Sequence, residues 1–223
     1  MKKTIAMMGI SLAATGTAVA VPQVLPFVEV AIYRVKQPAL HPVLVKDRME
    51  DVKATPGFIS SIHLRSLAEP DLFADISLWE DTNVTRTAKS MDGFFLNEST
   101  ELTVFGYFQS ASSITVLDQF IRPGAIIELA AYSVKDIAIQ EESRLGVYLE
   151  LQNSSSFYTG MALSSVKTNG GYVDFIAWAS QSAAEETAAK IMAMSAHQSF
   201  FQNTAEMALF DFFTVYEQNG LLK

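Results

Sequence analysis

Cysteine is absent from all 223 residues. No disulfide can form, even in an oxidising compartment. No cysteine is there to carry a lipid anchor, and a Cys/His pair is excluded. Histidine is nearly absent: His41, His63 and His197 are the only three. No two of them have the spacing of a ligand pair, so no metal site is expected. Basic residues are outnumbered, 16 Lys and Arg against 24 Asp and Glu, for a formal charge of −8. That sign argues against nucleic acid and anionic membrane surfaces as partners. The chain also lacks a Gly-rich phosphate loop and a serine elbow. Beyond the N-terminus, no apolar run approaches the ~20 residues that a bilayer span requires.

What is present begins with an export signal. Lys2 and Lys3 precede an apolar stretch from Ile5 to about Ala14, and Ala18-Val19-Ala20 fits a small-x-small cleavage site. Residues 1–20 therefore read as a signal peptide cleaved after Ala20. A periplasmic or secreted location is expected, and the mature chain carries a formal charge of −10 once Lys2 and Lys3 are gone.

The strongest internal signal is a repeat. Val28-Glu29-Val30-Ala31-Ile32-Tyr33-Arg34-Val35-Lys36 matches Ile127-Glu128-Leu129-Ala130-Ala131-Tyr132-Ser133-Val134-Lys135 at an offset of 99 residues. Ala74-Asp75-Ile76-Ser77-Leu78-Trp79 matches Val173-Asp174-Phe175-Ile176-Ala177-Trp178 at the same offset, and these hold the only two tryptophans. Ser60-Ser61 matches Ser164-Ser165, and Phe94-Phe95-Leu96-Asn97 matches Phe200-Phe201-Gln202-Asn203, at slightly larger offsets. Ordered blocks with small offset changes indicate a duplicated domain with loop insertions.

Each copy reads β-α-β-β-α-β, the split βαβ of ferredoxin-like folds. The first block is a period-2 strand. A helix follows, from about Pro42 to Lys53 in copy one and from about Ile139 to Gln152 in copy two, with Leu145, Tyr148 and Leu149 as the apolar stripe of the latter. Second strands are expected over Gly57–Arg65 and Gly160–Lys167, and the third strands end in the tryptophans. The second helix of copy two starts at the capping box Ser182-Ala183-Ala184-Glu185, and Asp81 or Thr82 is the matching cap in copy one. Last strands are expected near Thr103–Gln109 and Phe212–Gln218, with a linker over Ser110–Pro123. The chain thus divides into the signal peptide, one ferredoxin-like domain over 21–118 and a second over 119–223. Helices cover one sheet face of each unit. The other, with Val28, Val30 and Ile32 or Ile127, Leu129 and Ala131, is apolar and is buried if two sheets pair. The expected fold class is α+β, two tandem ferredoxin-like (βαββαβ) units forming a pseudo-dimeric α+β barrel within one chain. Whether two such chains pair further stays open.

Pro56-Gly57-Phe58-Ile59-Ser60-Ser61, Asp75-Ile76-Ser77-Leu78-Trp79-Glu80 and a long helix ending in paired Phe together resemble the antibiotic biosynthesis monooxygenase superfamily, the dimeric α+β barrels. The resemblance covers both halves and is nearest to exported bacterial members. It implies a pocket between sheet and helices, and an activity among those of the family. These include cofactor-independent oxidation of polyketide quinols and haem degradation. The haem-degrading branch uses a strand-one asparagine, which falls here on Ala31 and Ala130. Its helix tryptophan has no counterpart. Its iron-ligating histidine is approached only by His197, about two turns too early, with Met91 at that site in copy one. No cofactor is therefore expected, with haem as the alternative.

Alternation puts Glu29, Ala31 and Tyr33 on the helix-facing side of strand one, and Glu128, Ala130 and Tyr132 likewise in the repeat. Asp75, Ser77 and Trp79 share a face of strand three, as do Asp174, Ile176 and Trp178. Tyr33, Trp79, Tyr132 and Trp178 are the expected lining of a pocket for a small aromatic or quinone-like molecule, with His197 as a further lining candidate or an exposed helix residue. Candidates for removing a phenolic proton are Tyr33, Tyr132, Glu29, Glu128, Asp75 and Asp174. The plainer reading puts Glu29 and Glu128 in water at strand ends and makes the aromatic residues core. Three functions stay open: a monooxygenase-like protein, a non-catalytic carrier of haem or another small ligand, and a structural or interaction module with filled pockets.

Overall fold

The structure is a computed structural model that describes residues 26–80, 99–110, 117 and 120–219. The expected signal peptide, the Asp81 or Thr82 cap, the Phe94–Asn97 block and most of the expected linker lie outside the described residues.

In chain order the elements are β1 Phe27–Val35, α1 His41–Lys53, β2 Phe58–Ser66, β3 Leu72–Trp79, β4 Ser99–Ser110, β5 Ile126–Val134, α2 Ile137–Gln152, β6 Phe157–Ser165, β7 Gly171–Trp178, α3 Gln181–Ala193, a 3-10 turn Ser195–His197, α4 Gln198–Asn203 and β8 Thr204–Asn219. The strands close into one antiparallel barrel in the order β1-β3-β2-β8-β5-β7-β6-β4. Read from β4, the first half runs β4-β1-β3-β2 and the second β8-β5-β7-β6. The two halves have the same internal order. They join at two seams. At one, β2 pairs with β8 from Ser61 through Ser66. At the other, among the described residues, β4 pairs with β6 over Phe108–Ser110 and Leu163–Ser165, and Val166 N donates to Tyr107 O.

The barrel is filled by the apolar face that alternation singles out. Val28, Val30, Ile32, Ile127, Leu129 and Ala131 all belong to one buried cluster. The linker contributes as well: Leu117 and Phe120 are fully buried in that cluster, and the Phe120 ring lies 4.4 Å from that of Phe175. A connector with those side chains is part of the core and not a spacer.

Several element boundaries depart from the sequence reading. β4 and β8 start earlier than expected, at Ser99 and Thr204, because their N-terminal halves continue alongside β1 and β5 as antiparallel partners. The cap of α3 is Ser180, not Ser182: Ser180 has an extended backbone and its side chain accepts from Ala183 N at 3.2 Å. The stripe of α2 is also displaced. The helix buries Gln140, Arg144, Val147 and Leu151, and leaves Leu145 and Leu149 at 66% and 54% exposure. The physical reason is polar, as the site below shows: the helix turns Gln140 and Arg144 toward partners on the sheet.

If Phe120 plugs the barrel, Phe120→Ala costs about 3–5 kcal/mol through the cavity it leaves. Urea unfolding should show a lower midpoint with an unchanged slope.

Candidate functional site

Alternation carries one carboxylate per half onto the helix side of the barrel, and burial then forces each to be bonded. Asp75 pairs with Ala31 across β3 and β1, and Asp174 with Ala130 across β7 and β5. Both are buried. A tyrosine two residues along the first strand donates to each: Tyr33 Oη to Asp75 Oδ2 at 2.7 Å, and Tyr132 Oη to Asp174 Oδ2 at 2.8 Å. Burial, reinforced by the adjacent carboxylate, pushes both phenols above their ordinary value. Neither is then a proton acceptor near neutral pH; each is a fixed donor.

Beyond this shared pair the halves differ. In the first half His63 Nδ1 lies 2.5 Å from Asp75 Oδ1, and His63 Nε2 lies 3.3 Å from Ser61 Oγ. Tyr33 Oη, its own proton spent on Asp75, accepts from His41 Nε2 at 3.0 Å. Burial lowers His41 to about 4, against a raising effect of Asp75, so its ring is neutral. The two histidines with no ligand spacing in sequence thus meet around one carboxylate. Tyr33 and Trp79 are fully buried here and Glu29 nearly so.

In the second half Ala162 stands opposite Asp174 where His63 stands opposite Asp75. An arginine supplies the missing partner. Arg144 reaches down from α2 and donates to Asp174 Oδ1 from Nε at 3.2 Å and Nη2 at 2.5 Å. Nη2 also donates to the carbonyls of Val173 and Leu163. Tyr148 Oη donates to the same Oδ1 at 2.9 Å. Gln140 Nε2 donates to Tyr132 Oη at 3.0 Å, and Asn203 Nδ2 ties Gln140 Oε1 to the end of α4 at 3.3 Å. Asp136 caps α2 through Ala138 N and Ile139 N, which fixes where Gln140 and Arg144 fall.

Above this network is a cavity of about 280 Å³ between β5, β7 and β8 and the helices α2, α3 and α4. Glu128, Asp174, Tyr132, Tyr148 and Trp178 form its polar and aromatic floor. Phe200, Phe201, Val147, Leu151 and Ile191 form apolar walls. Met192, Met207 and Phe210 line it too and are half-exposed, which marks the mouth. A larger groove of about 420 Å³ opens beside β4 at the barrel end. Neither Glu128 nor Asp174 lines it.

Glu128 is the group of most interest. Trp178 Nε1 donates to its Oε2 at 2.9 Å. Its other oxygen has no hydrogen bond among the described residues. Burial, together with the nearby charge of Asp174, raises Glu128 from 4.5 to about 7, against a lowering effect of the Trp178 bond. A carboxylate in water at a strand end would show no such displacement. In the first half Trp79 Nε1 is buried with no partner among the described residues.

Of the expected pocket lining, Tyr132 and Trp178 are on the cavity, and Tyr33 and Trp79 take the matching places in the first half. His197 is neither exposed nor on the cavity. It is 8% exposed, with Nε2 4.0 Å from Glu150 Oε1, and packs so closely on α2 that a Cβ at Gly146 would come within 3.2 Å of its ring. The cavity lining contains no histidine, and its phenols are committed to Asp174. A haem iron held by His or Tyr therefore finds no free ligand on the described lining. Arg144 and Gln140 were not among the sequence candidates. The available signal was their 4-3-4 spacing with Val147 and Leu151, as good a helical stripe as the leucine one.

No family model matches the chain, and no curated protein matches it by sequence. Solved structures do match. An anthrone oxidase-like protein aligns with a TM-score of 0.66 at 13% identity, over 88% of this chain and 94% of its own. A mutant chlorite dismutase from Candidatus Nitrospira defluvii aligns at 0.59 and 8% identity, over 86% and 92%. A monooxygenase-like protein from Listeria innocua aligns at 0.50 and 11% identity, over 86% and 95%. The fold is therefore a mixed α+β barrel shared with proteins of those descriptions.

Two expectations follow. Arg144→Met leaves Asp174 a buried charge without its cationic partner and costs about 3–5 kcal/mol, whereas Arg144→Met/Asp174→Asn recovers much of that loss. Chemical denaturation of both variants tests it. Glu128 holds its proton more tightly folded than unfolded. Its contribution is therefore fully present below about 4.5 and is lost as pH rises through about 7. Glu128→Gln should raise the melting temperature at pH ~8 and leave it unchanged at pH ~4. A gain of equal size at both pH values contradicts the assignment.

Proposed function

We propose that the second-half cavity binds a small flat aromatic phenol or quinol and that the protein oxidises it with dioxygen, as a monooxygenase that needs neither metal nor flavin. The observation that carries this is Glu128: a carboxylate on an aromatic-lined cavity, one oxygen held by Trp178 and the other open, with its proton affinity near neutral. A base poised near the working pH is what abstraction of a phenolic proton requires. The names carried by the fold neighbours support the reading.

Glu128 takes the phenolic proton, and the ring becomes an electron-rich anion that dioxygen can oxidise. The ring carbon para to the oxygen loses its hydrogen and gains one oxygen atom. The second oxygen atom leaves with two hydrogens as water, so phenol and dioxygen give quinone and water with no other oxidant. Tyr132, Tyr148 and Arg144 act by holding Asp174, which keeps a fixed negative charge beside the base.

The same proposal includes the architecture. The matching strand orders, and the Tyr33/Asp75 and Tyr132/Asp174 pairs at one sequence offset, support two ferredoxin-like units that form a pseudo-dimer within the chain. The first half, with His41 and His63 filling around its carboxylate, is then a diverged copy.

Dioxygen uptake and quinone formation, followed over a panel of naphthols and anthrones, test the activity. Glu128→Gln should lower kcat/KM by about 100-fold or more. The wild-type rate should rise with pH to a plateau, with a midpoint near the Glu128 value of about 7. Turnover that survives the substitution removes Glu128 as the base, and no uptake with any phenol removes the oxygenase reading.

A further inference from the structure

The cavity's hydrogen-bonding inventory is one-sided. Three lining side chains carry polar hydrogens on the floor, and all three are spent: Trp178 Nε1–H on Glu128, and the Tyr132 and Tyr148 hydroxyls on Asp174. Among the described residues, no Lys, Arg or His lines the cavity. Arg144 belongs to a different, outer cleft, and its Nε and Nη2 face Asp174 and two carbonyls. The backbone of β5 is occupied on both edges by β7 and β8. Among the described residues, the Thr204 hydroxyl is the side-chain donor that remains on the lining. On the acceptor side, Asp174 is saturated by four bonds, but Glu128 Oε1 is open.

From this we infer that the cavity selects ligands by hydrogen-bond polarity: it binds the form of an aromatic ring that donates an O–H or N–H, and rejects the carbonyl form of the same ring and its carboxylated relatives. A phenol can give its proton to Glu128. A quinone brings only acceptors to a floor that is already made of acceptors. An aromatic carboxylate adds a third negative charge to a cavity lined by Glu128 and Asp174, with only Arg144 behind them to compensate. An acceptor left unmatched against a desolvated wall is penalised more than a matched one gains. This rests on the reading of the cavity as an aromatic-ligand site, and it gives that site a direction. The reduced, donating form is held, and the oxidised form it is converted into is expelled.

The experiment is a binding comparison by tryptophan fluorescence and calorimetry at pH ~8, without dioxygen, using naphthol, naphthoquinone and hydroxynaphthoate as probes. Naphthol should bind at least about tenfold more tightly than the other two, the range expected for one hydrogen bond to a charged acceptor. Glu128→Gln then supplies the test that a merely structural role fails. An amide offers both an acceptor and a donor, so naphthol should weaken while naphthoquinone tightens, and the ratio should collapse. A perturbed cavity would weaken both. Equal binding of naphthol and naphthoquinone to the wild type overturns the inference and leaves the aromatic site standing. Binding of none of the three overturns the aromatic site itself. The wild-type comparison decides the matter without the variant if Glu128→Gln does not fold.

Discussion

A carboxylate buried between a sheet and its helices has to be bonded, and in each half of this protein the surroundings are arranged around that demand. Asp75 and Asp174 are placed by strand alternation, which no side chain can change without turning the whole strand over. The nearest tyrosine then serves each as a donor. What remains unsatisfied on the carboxylate is met differently on the two sides, by His63 from a neighbouring strand in one and by Arg144 and Tyr148 from a helix in the other. The second solution has a structural cost, since α2 must turn an arginine and a glutamine inward and leave two leucines in water. It also has a structural product. With the carboxylate's partners coming from α2, Ala162 takes the strand position where a histidine would otherwise stand.

The division of labour between the two sheet faces follows. Apolar side chains of all eight strands are spent inside the barrel, where Phe120 and Leu117 from the linker complete the packing. The helix side has smaller apolar clusters of its own, around Phe73 and Trp79 in one half and Ile176 and Trp178 in the other, and the two carboxylate networks sit beside them. That separation lets the second half keep an open, aromatic-lined space on one face without weakening the core on the other.

The sequence was most legible where a single period controls the outcome. Strand alternation named the interior face through Val28, Val30 and Ile32 and the helix-facing residues Glu29, Tyr33 and Asp75, all of which lie as alternation places them. It was least legible where a long-range polar partner outweighs hydrophobicity. Leu145 and Leu149 carry more apolar area than Gln140 and Arg144, so hydrophobicity alone turns α2 the wrong way. Only the buried Asp174, 30 residues from Arg144 in sequence, explains the rotation. The histidines show the same limit. His41 and His63 have no meaningful spacing along the chain, yet Tyr33 and Asp75 bring them to one cluster. His197, which the family resemblance places near an iron-ligating histidine, instead packs against the α2 backbone beside Gly146, whose missing side chain makes the room. Ser180 rather than Ser182 caps α3 for a local reason, since it is the serine still in extended geometry after β7.

Among the described residues the two seams of the barrel draw on different lengths of strand: β2 and β8 share six residue pairs, and β4 and β6 share three. β8 is also a wall of the cavity. Its cavity residues Thr204, Met207 and Phe210 lie in the stretch that pairs with β5, whereas the seam with β2 uses Phe213–Asn219, so one strand carries the site with its first part and the join between the halves with its last.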